Sequence, residues 1–360
     1  MTLVFKKHWS RIVIKQIETR ILASDEPLSL PEDLSLAAAF PVLDSWVVLM
    51  GKIYNFPVYR IIALADNKIA GVLSLIRIKH FVFGDYLATA PFASYGGFSF
   101  SSVEVRDALL ERAQKLGDEL DVEYVNVRFE DGNATPPAHW TQHPAYATYR
   151  AELSPDPDKL LASYNPNHRN HVRKSLKKGF AVKFGRMDLL NEAYEGLARS
   201  MHELGSPYHS KDYLRRMVDS LGEEIELAAL YNAEGRLIGA GVFIFSGDMA
   251  TNLHANILHE ARSDYAGEFL YWSAITRYSQ KGFYIFDMGR SLLGSGNEVF
   301  KLKWNPNKKI LAYWYYLRKM QEVPRLDQKN PKFQIAIWTW KRLPAFIIRP
   351  IGPFLIKGLA

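Results

Sequence analysis

The chain contains no cysteine, which removes disulfides, thiolate zinc sites and a cysteine nucleophile together. It also lacks any long uncharged apolar run. Residues 1–24 scatter Lys6, Lys7, Arg11, Lys15 and Arg20 among their apolar side chains, so no signal-peptide core is expected there. In residues 332–359, Lys341, Arg342, Arg349 and Lys357 interrupt the apolar positions before the ~18–20 needed for a membrane span. Acids are scarce at the same end: residues 301–360 hold 13 Lys and Arg against Glu322 and Asp327, while the other 300 residues carry 32 basic and 36 acidic side chains. A basic terminus on a mildly acidic body predicts an anionic partner for that terminus, such as lipid head groups, RNA or a phosphorylated substrate. Cofactor patterns are missing too. Gly239-Ala240-Gly241 has no third glycine at dinucleotide spacing, Gly294-Ser295-Gly296 has no following Lys-Ser/Thr, and no nucleophile elbow occurs. Nicotinamide oxidoreduction, P-loop phosphotransfer and serine hydrolysis are therefore weak readings. What is present is an ordinary globular composition, 48% hydrophobic over 360 residues, enough for two cores.

A pattern occurs twice. Residues 60–65 and 69–75 read as two strands around the turn Asp66-Asn67-Lys68; residues 226–231 and 237–243 repeat it, with Gly239 matching Gly71. Each hairpin precedes an amphipathic helix and a short strand: residues 106–120 and 124–129 in the first half, 267–280 and 283–286 in the second. Tandem copies of one α/β module are expected, divided near Ser154-Pro155-Asp156-Pro157. Hairpin, helix, strand is the order of the GNAT acyltransferase fold. The predicted class is thus α/β (α+β): two tandem GNAT-like domains, mixed sheets with flanking helices, at 1–153 and 154–322, followed by a basic amphipathic tail at 323–360.

Chemistry concentrates in the second copy. Phe286-Asp287-Met288-Gly289-Arg290-Ser291 follows an apolar strand and precedes a glycine-rich turn and Phe300-Lys301. A strand delivering charge into such a turn commonly builds a site; the bland alternative is a buried Asp287–Arg290 pair bracing a strand end. Residues 165–179 read as a helix capped by Asn167 and stopped by Gly179, with Arg169, Arg173 and Lys177 in one stripe and Val172 and Leu176 buried. Like charges at that spacing disfavour a helix by a few tenths of a kcal/mol each, roughly, so a polyanion is the simplest compensator; a solvated basic face is the alternative. His168 and His171 have no carboxylate near them in sequence, and no metal is expected. Asn252, His254 and Asn256 alternate along one strand and should share a face lining a cleft. Arg262-Ser263-Asp264-Tyr265-Ala266-Gly267 sits where a GNAT donor loop would, though Asp264 would repel phosphate.

In order and spacing, these pieces make the chain similar to the FemAB-like acyltransferases, in particular those associated with exosortase (PEP-CTERM) and exopolysaccharide systems. The resemblance runs over most of the chain. It includes Ala90-Pro91-Phe92 with Tyr95-Gly96-Gly97, the 169–179 helix, Gly205-Ser206-Pro207, residues 270–282, the Phe286 to Ser291 motif, Phe300-Lys301 and Trp304, and Trp340-Lys341-Arg342-Leu343-Pro344 with Gly352-Pro353. Met288 and Asn305 depart from the Phe and Gly common at these places; Asn tolerates a left-handed turn. The resemblance implies N-acyl transfer from acyl-CoA or aminoacyl-tRNA as co-substrate, with no tightly bound cofactor. The acceptor would be an amine of a small-molecule or lipid-linked cell-envelope, peptidoglycan or polysaccharide precursor. A non-catalytic assembly scaffold binding an anionic glycan or lipid is the rival.

The expected roles are catalytic for Lys301, Arg290, Asp287 and His254, with Lys301 stabilising an oxyanion and Asp287 orienting Arg290. Arg169, Arg173, Lys177, Arg262 and Gly267 would bind donor or phosphate, and Tyr208, Asn252, Asn256, Phe300 and Tyr95 the acceptor. The expected setting is cytoplasmic, with residues 332–360 either lying on an anionic membrane or packing on the body.

Overall fold

The computed structural model describes residues 17–23, 26–31, 34, 44–143, 146–324 and 331–359. The signal-peptide reading of residues 1–24 falls mostly outside them. In chain order the first half supplies β1 (Ile17–Leu22), α1 (Asp44–Tyr54), β2 (Val58–Ala65), β3 (Lys68–His80), β4 (Gly84–Ala88), β5 (Phe98–Phe100), α2 (Val103–Glu119), β6 (Tyr124–Phe129), β7 (Trp140–Gln142) and β8 (Tyr146–Glu152). The second supplies α3 (Pro157–Ser163), α4 (Pro166–Ser175), β9 (Ala181–Gly185), α5 (Leu190–Leu204), α6 (Lys211–Leu221), β10 (Ile225–Tyr231), β11 (Leu237–Ser246) and β12 (Met249–Ile257). It continues with α7 (Ala266–Gln280), β13 (Ile285–Leu292), α8 (Gly296–Leu302), β14 (Asn307–Ile310) and β15 (Ala312–Leu317). Helices α9 (Pro331–Trp340) and α10 (Ala345–Ile356) close the chain.

Two mixed sheets have the same plan. The first runs β1-β2-β3-β4-β6-β15-β7, with β5 beside β3; the second runs β9-β10-β11-β12-β13-β8-β14. Each has one parallel step at the same place, β4 with β6 and β12 with β13. The sixth strand of each sheet comes from the other half of the chain. β8 precedes the boundary expected at residue 153 yet pairs with β13, and β15 returns from the far end to pair with β6. The halves are therefore interleaved.

Each copy buries its helix on its sheet. In the first, Leu109, Leu110, Ala113 and Leu116 of α2 pack on Ile61, Leu73, Val125 and Trp314, at helical spacing behind the N-cap Ser102, whose side chain accepts from the Val105 N–H. In the second, Leu270, Ala274, Ile275 and Tyr278 of α7 pack on Phe243, Ala250 and Phe286. A third core joins the halves, setting Trp46, Met50 and Ala93 against Leu197, Met217 and Val242. Each such large side chain, fully buried, contributes roughly 1.5–3 kcal/mol.

Two local expectations need correction. The cap of α4 is Asn165, which accepts from the His168 N–H at 2.8 Å; Pro166 then takes the first helical position, where a missing donor does no harm. Because α4 ends at Ser175, Leu176 lies outside the helix and is exposed while Val172 is buried. In the tail, Pro344 takes the cap position of α10 and separates it from α9, while Pro350 and Pro353 sit inside α10, a surface helix whose freed carbonyls can reach water.

The tail packs on the body through its inner face. Trp340 is buried, its carbonyl accepts from His202 Nε2 at 3.1 Å, and Arg349 pairs with Glu195. Gly352 lies against Tyr208, where an added Cβ would come 3.2 Å from the Tyr208 carbonyl.

Candidate active site

Strands β12 and β13 pair only at Met249–Ile285, Ala250–Phe286 and Thr251–Asp287. Beyond these positions both strands continue without pairing to each other, which opens a wedge at the centre of the second sheet. The expected turn after Phe286 is instead strand: Asp287 to Leu292 continue β13, and its register against β8 slips by one residue between Asp287 and Arg290. Gly289 makes this bulge, at φ 72°. It is the residue the position needs, since a Cβ would also lie 3.0 Å from the Asn252 carbonyl.

Lys301 holds the bulge in place. Its Nζ donates to the carbonyls of Gly289 at 2.8 Å and Arg290 at 2.9 Å. The side chain is buried, with Tyr149 5.7 Å from the ammonium. Burial lowers its pKa to about 7; Asp287 opposes that shift and Arg290 adds to it. The helix carrying it, α8, has only seven residues and needs outside anchors. Ser295 caps it, and Glu298 supplies the anchor by accepting from Tyr149 OH at 2.7 Å, Lys308 Nζ at 2.7 Å and the Gly294 N–H. Hydrogen bonds from Lys308, then Tyr149 and Gly294, hold the Glu298 pKa down at about 2.

Asp287 and Arg290 do not pair. Asp287 is buried and accepts from Thr148 Oγ1 at 2.6 Å, the Gly289 N–H at 2.8 Å, Tyr95 OH at 3.0 Å and Arg150 Nε at 3.3 Å. Its guanidinium partner is Arg150 of β8, which also binds Glu130 at 3.0 Å. Arg290 donates to Tyr313 OH at 2.6 Å and lies 5.1 Å over the Tyr146 ring. Its side chain is solvent-exposed, with the guanidinium held against the Tyr313 and Tyr146 rings.

The expectation that Asn252, His254 and Asn256 share a face is also corrected. Register between β11 and β12 slips at Leu253, and one extra residue reverses the alternation. Asn252 faces α7 and donates to Tyr271 OH at 2.7 Å, leaving its Oδ1 without a partner. His254 packs instead against Tyr208 and His209, and Asn256 donates to Met201 Sδ. Burial lowers the His254 pKa to about 4. Tyr208, His254 and Asn256 thus lie on the α5 side beneath the tail, whereas Lys301 lies on the α7 side with Tyr149.

The wedge gathers Asp287, Tyr95, Arg290, Lys301, Asn252 and Phe300. Phe300 stacks edge-on to Tyr271 at 5.1 Å, and Gly267 in the first turn of α7 leaves ordinary room for that ring. Trp304 connects Tyr271 to His168 of α4, so the basic helix stands next to the wedge. Arg173 and Lys177 are exposed, Arg169 half-buried, and none of the three forms an ion pair among the described residues. Arg262 is exposed, its Nε donating to the Ile257 carbonyl at 3.0 Å. Asn305 does take the left-handed turn, at φ 49°.

Sequence reading missed Arg150, Thr148 and Tyr313, which reach the site from other strands, and Glu298, which lies one turn before Lys301 on α8. It also placed no carboxylate beside His168 and His171. The fold brings Glu268 to them, with ligand atoms within 4.8 Å of one another. Lys303 Nζ stands 3.7 Å from that carboxylate and offsets its charge. A separate depression of about 270 Å³, lined by Lys178, Arg236 and Asp264 among others, touches none of the wedge residues.

Residues 166–302 match the family model described as the acetyltransferase (GNAT) domain. The chain has a FemAB-like, tandem GNAT fold. Among solved structures it is similar to FemX, at 14% identity over 84% of this chain and 98% of that one, with a TM-score of 0.60. It is also similar to a tandem GNAT protein from the clavulanic acid biosynthesis pathway (12% identity, 83% and 98% covered, TM-score 0.51). A third is the C-terminal DUF2156 domain of a putative lysylphosphatidylglycerol synthetase from Agrobacterium fabrum (11%, 76% and 85%, 0.50). At these identities the likeness is one of fold. No curated protein matches the chain in sequence. The GNAT segment begins at α4 and ends with α8, so it encloses both the basic helix and Lys301.

Proposed function

We propose that the chain is an N-acyltransferase of the FemAB/GNAT type. It would move an acyl or aminoacyl group from acyl-CoA or aminoacyl-tRNA to an amine of a cell-envelope, peptidoglycan or polysaccharide precursor. Residues 154–322, completed by β8, would form the catalytic unit. The observation that carries this reading is Lys301, buried at the mouth of the wedge with two N–H groups committed to backbone carbonyls. An ammonium has three donors, so one remains. In the reaction the neutral amine attacks the donor carbonyl carbon and a C–N bond forms, leaving an oxyanion. The third N–H of Lys301 stabilises that oxyanion. Collapse breaks the donor's C–S or C–O bond, and the departing thiolate or ribose oxygen takes up the proton that the new amide nitrogen loses.

Arg290 holds an anionic group of donor or acceptor in the wedge. Asp287 is a positioning residue, tying Tyr95, Thr148 and Arg150 to the bulge rather than orienting Arg290. Arg169 and Arg173, with Lys177 beyond them, engage phosphates. Arg262 and Gly267 frame the α7 N-terminus, where a donor diphosphate would meet free N–H groups. Asn252 and Phe300 line the wedge. Tyr208, His254 and Asn256 act on the acceptor only if the tail moves aside, and no step above needs them. A panel of labelled acyl-CoAs and aminoacyl-tRNAs tests the proposal; folded protein that transfers label from neither class to any amine would refute it.

One observation favours a second reading. Glu268 occupies the first turn of α7 and Asp264 precedes it, so carboxylates stand where a donor diphosphate would bind. A non-catalytic scaffold that binds an anionic glycan or lipid would tolerate this. Thermal shift separates the two, since either coenzyme A or an aminoacyl-tRNA should raise the melting temperature of the enzyme, while neither donor shifts the scaffold.

A further inference from the structure

The outer face of the tail is not accounted for by packing. In α9 and α10 the inward positions are Ile337, Trp340 and Gly352, yet Ile335 is 69% exposed, Trp338 58% and Phe346 76%. Ile351 and Phe354 are exposed as well. A distant segment joins them. The tip of the β3–β4 hairpin carries Phe81, 81% exposed, and Val82, also exposed, and Phe81 stacks on Phe354 with ring centroids 5.5 Å apart.

The two segments are locked together. Val82 N–H donates to His80 Nδ1, which leaves Nε2 as the donor to the Phe354 carbonyl at 3.2 Å. Tyr86 OH donates to the Gly358 carbonyl at 3.0 Å. Gly358 sits so close that a Cβ would come 2.4 Å from the Phe83 ring. Hairpin tip and the end of α10 are therefore fixed together, and α9, α10 and the tip between them expose seven large apolar side chains, Phe81, Val82, Ile335, Trp338, Phe346, Ile351 and Phe354.

The charge of the tail selects a partner. Residues 328–360 hold six Lys and Arg and no acid. Arg342 lies 3.8 Å over the exposed Trp338 ring, so a cation and an indole project side by side. Exposed tryptophan, basic side chains and apolar residues together are the composition of a segment lying in the head-group layer of an anionic bilayer. No helix among the described residues is long and apolar enough to cross a membrane, so the contact is with one leaflet.

We propose that α9, α10 and the β3–β4 hairpin tip form a docking surface for an anionic lipid bilayer. It stands independently of the acyl-transfer reading. The full chain is tested by co-sedimentation with vesicles of phosphatidylcholine alone and with about one-third phosphatidylglycerol, at low and high salt. Binding is expected only with phosphatidylglycerol, weakening as salt screens the basic residues. Phe81→Glu and Phe346→Glu should each reduce the partition coefficient by about tenfold or more, with an unchanged melting temperature because both side chains are exposed. Phe81→Glu is the sharper variant, as it lies outside the tail. Absence of binding to either vesicle, equal binding to both, or wild-type binding by both variants would overturn the proposal. So would a lipid-free dimer that Phe81→Glu dissolves, which would assign the surface to a second copy of the chain.

Discussion

The two copies share a sheet plan and differ at the one place where it could open. In the first copy the parallel pair β4–β6 ends at Ala88 and Asn126, and the chain then closes the gap. Thr89 N–H donates to the Asn126 carbonyl, Thr89 Oγ1 accepts from the Arg128 N–H, and Gly96 N–H reaches the Arg128 carbonyl. Asn126 stands where Asp287 stands in the second copy, each the last residue of its parallel pairing. There the resemblance stops. β6 runs on without a bulge and no helix follows to carry a lysine, whereas β13 bulges at Gly289 and Lys301 captures the carbonyls so exposed. One duplicated frame has been sealed in one copy and left open in the other, and the chemistry-bearing residues follow the opening.

Breaking that difference should affect activity most at Lys301. Lys301→Met is expected to slow single-turnover acyl transfer by about 10²–10³, while Arg128→Met in the sealed copy leaves the rate per folded molecule unchanged; a Lys301→Met enzyme of normal rate would sink the assignment. The wild-type pH profile should lose activity as Lys301 deprotonates near pH 7, and Lys301→Arg should remove that limb.

Acid should act next. Burial holds His168 and His254 at about 4 and His209 well below its usual value, all in the second half of the chain. As pH falls through ~6.5 the unfolded chain takes up protons that the folded chain refuses until about 4. Stability is thus full above that window and lost within it, for His254 by on the order of 3 kcal/mol. Urea unfolding at stepped pH checks this, and His254→Gln should flatten the slope. The smallest effect is expected from Gly289→Ala, about 1–2 kcal/mol from the left-handed backbone alone, measured by the same unfolding. Its activity should fall as well, because the carbonyl held by Lys301 must shift.

The duplication is legible because hairpin, helix and strand recur locally, and the sequence also singles out Lys301, Arg290 and Tyr95, which the fold brings together around Asp287 and the Gly289 bulge. The pairing of Asp287 with Arg290 was misread because proximity along a strand suggested it, whereas Arg150 comes from a neighbouring strand that no local pattern ties to β13. Asn252 was placed with His254 because alternation presumes an unbroken ladder; a single extra residue at Leu253 reverses it and leaves no mark in composition. Glu268 reached His168 and His171 through the packing of α7 on α4, which spacing along the chain cannot reveal. The tail poses a choice between lipid and body: its inner face packs on the body, and the lipid reading rests on its outer face alone.

The strand exchange also sets a timetable for synthesis. β6 finds its neighbour β15 only after about 180 further residues have been made, on the order of 10–40 s at ordinary translation rates. Until then the nascent first sheet ends on an open edge at β6, a template for wrong pairing. The emerging chain must be kept from its neighbours for that interval, so slow or crowded expression should show itself as aggregation of a protein whose finished form has that edge covered.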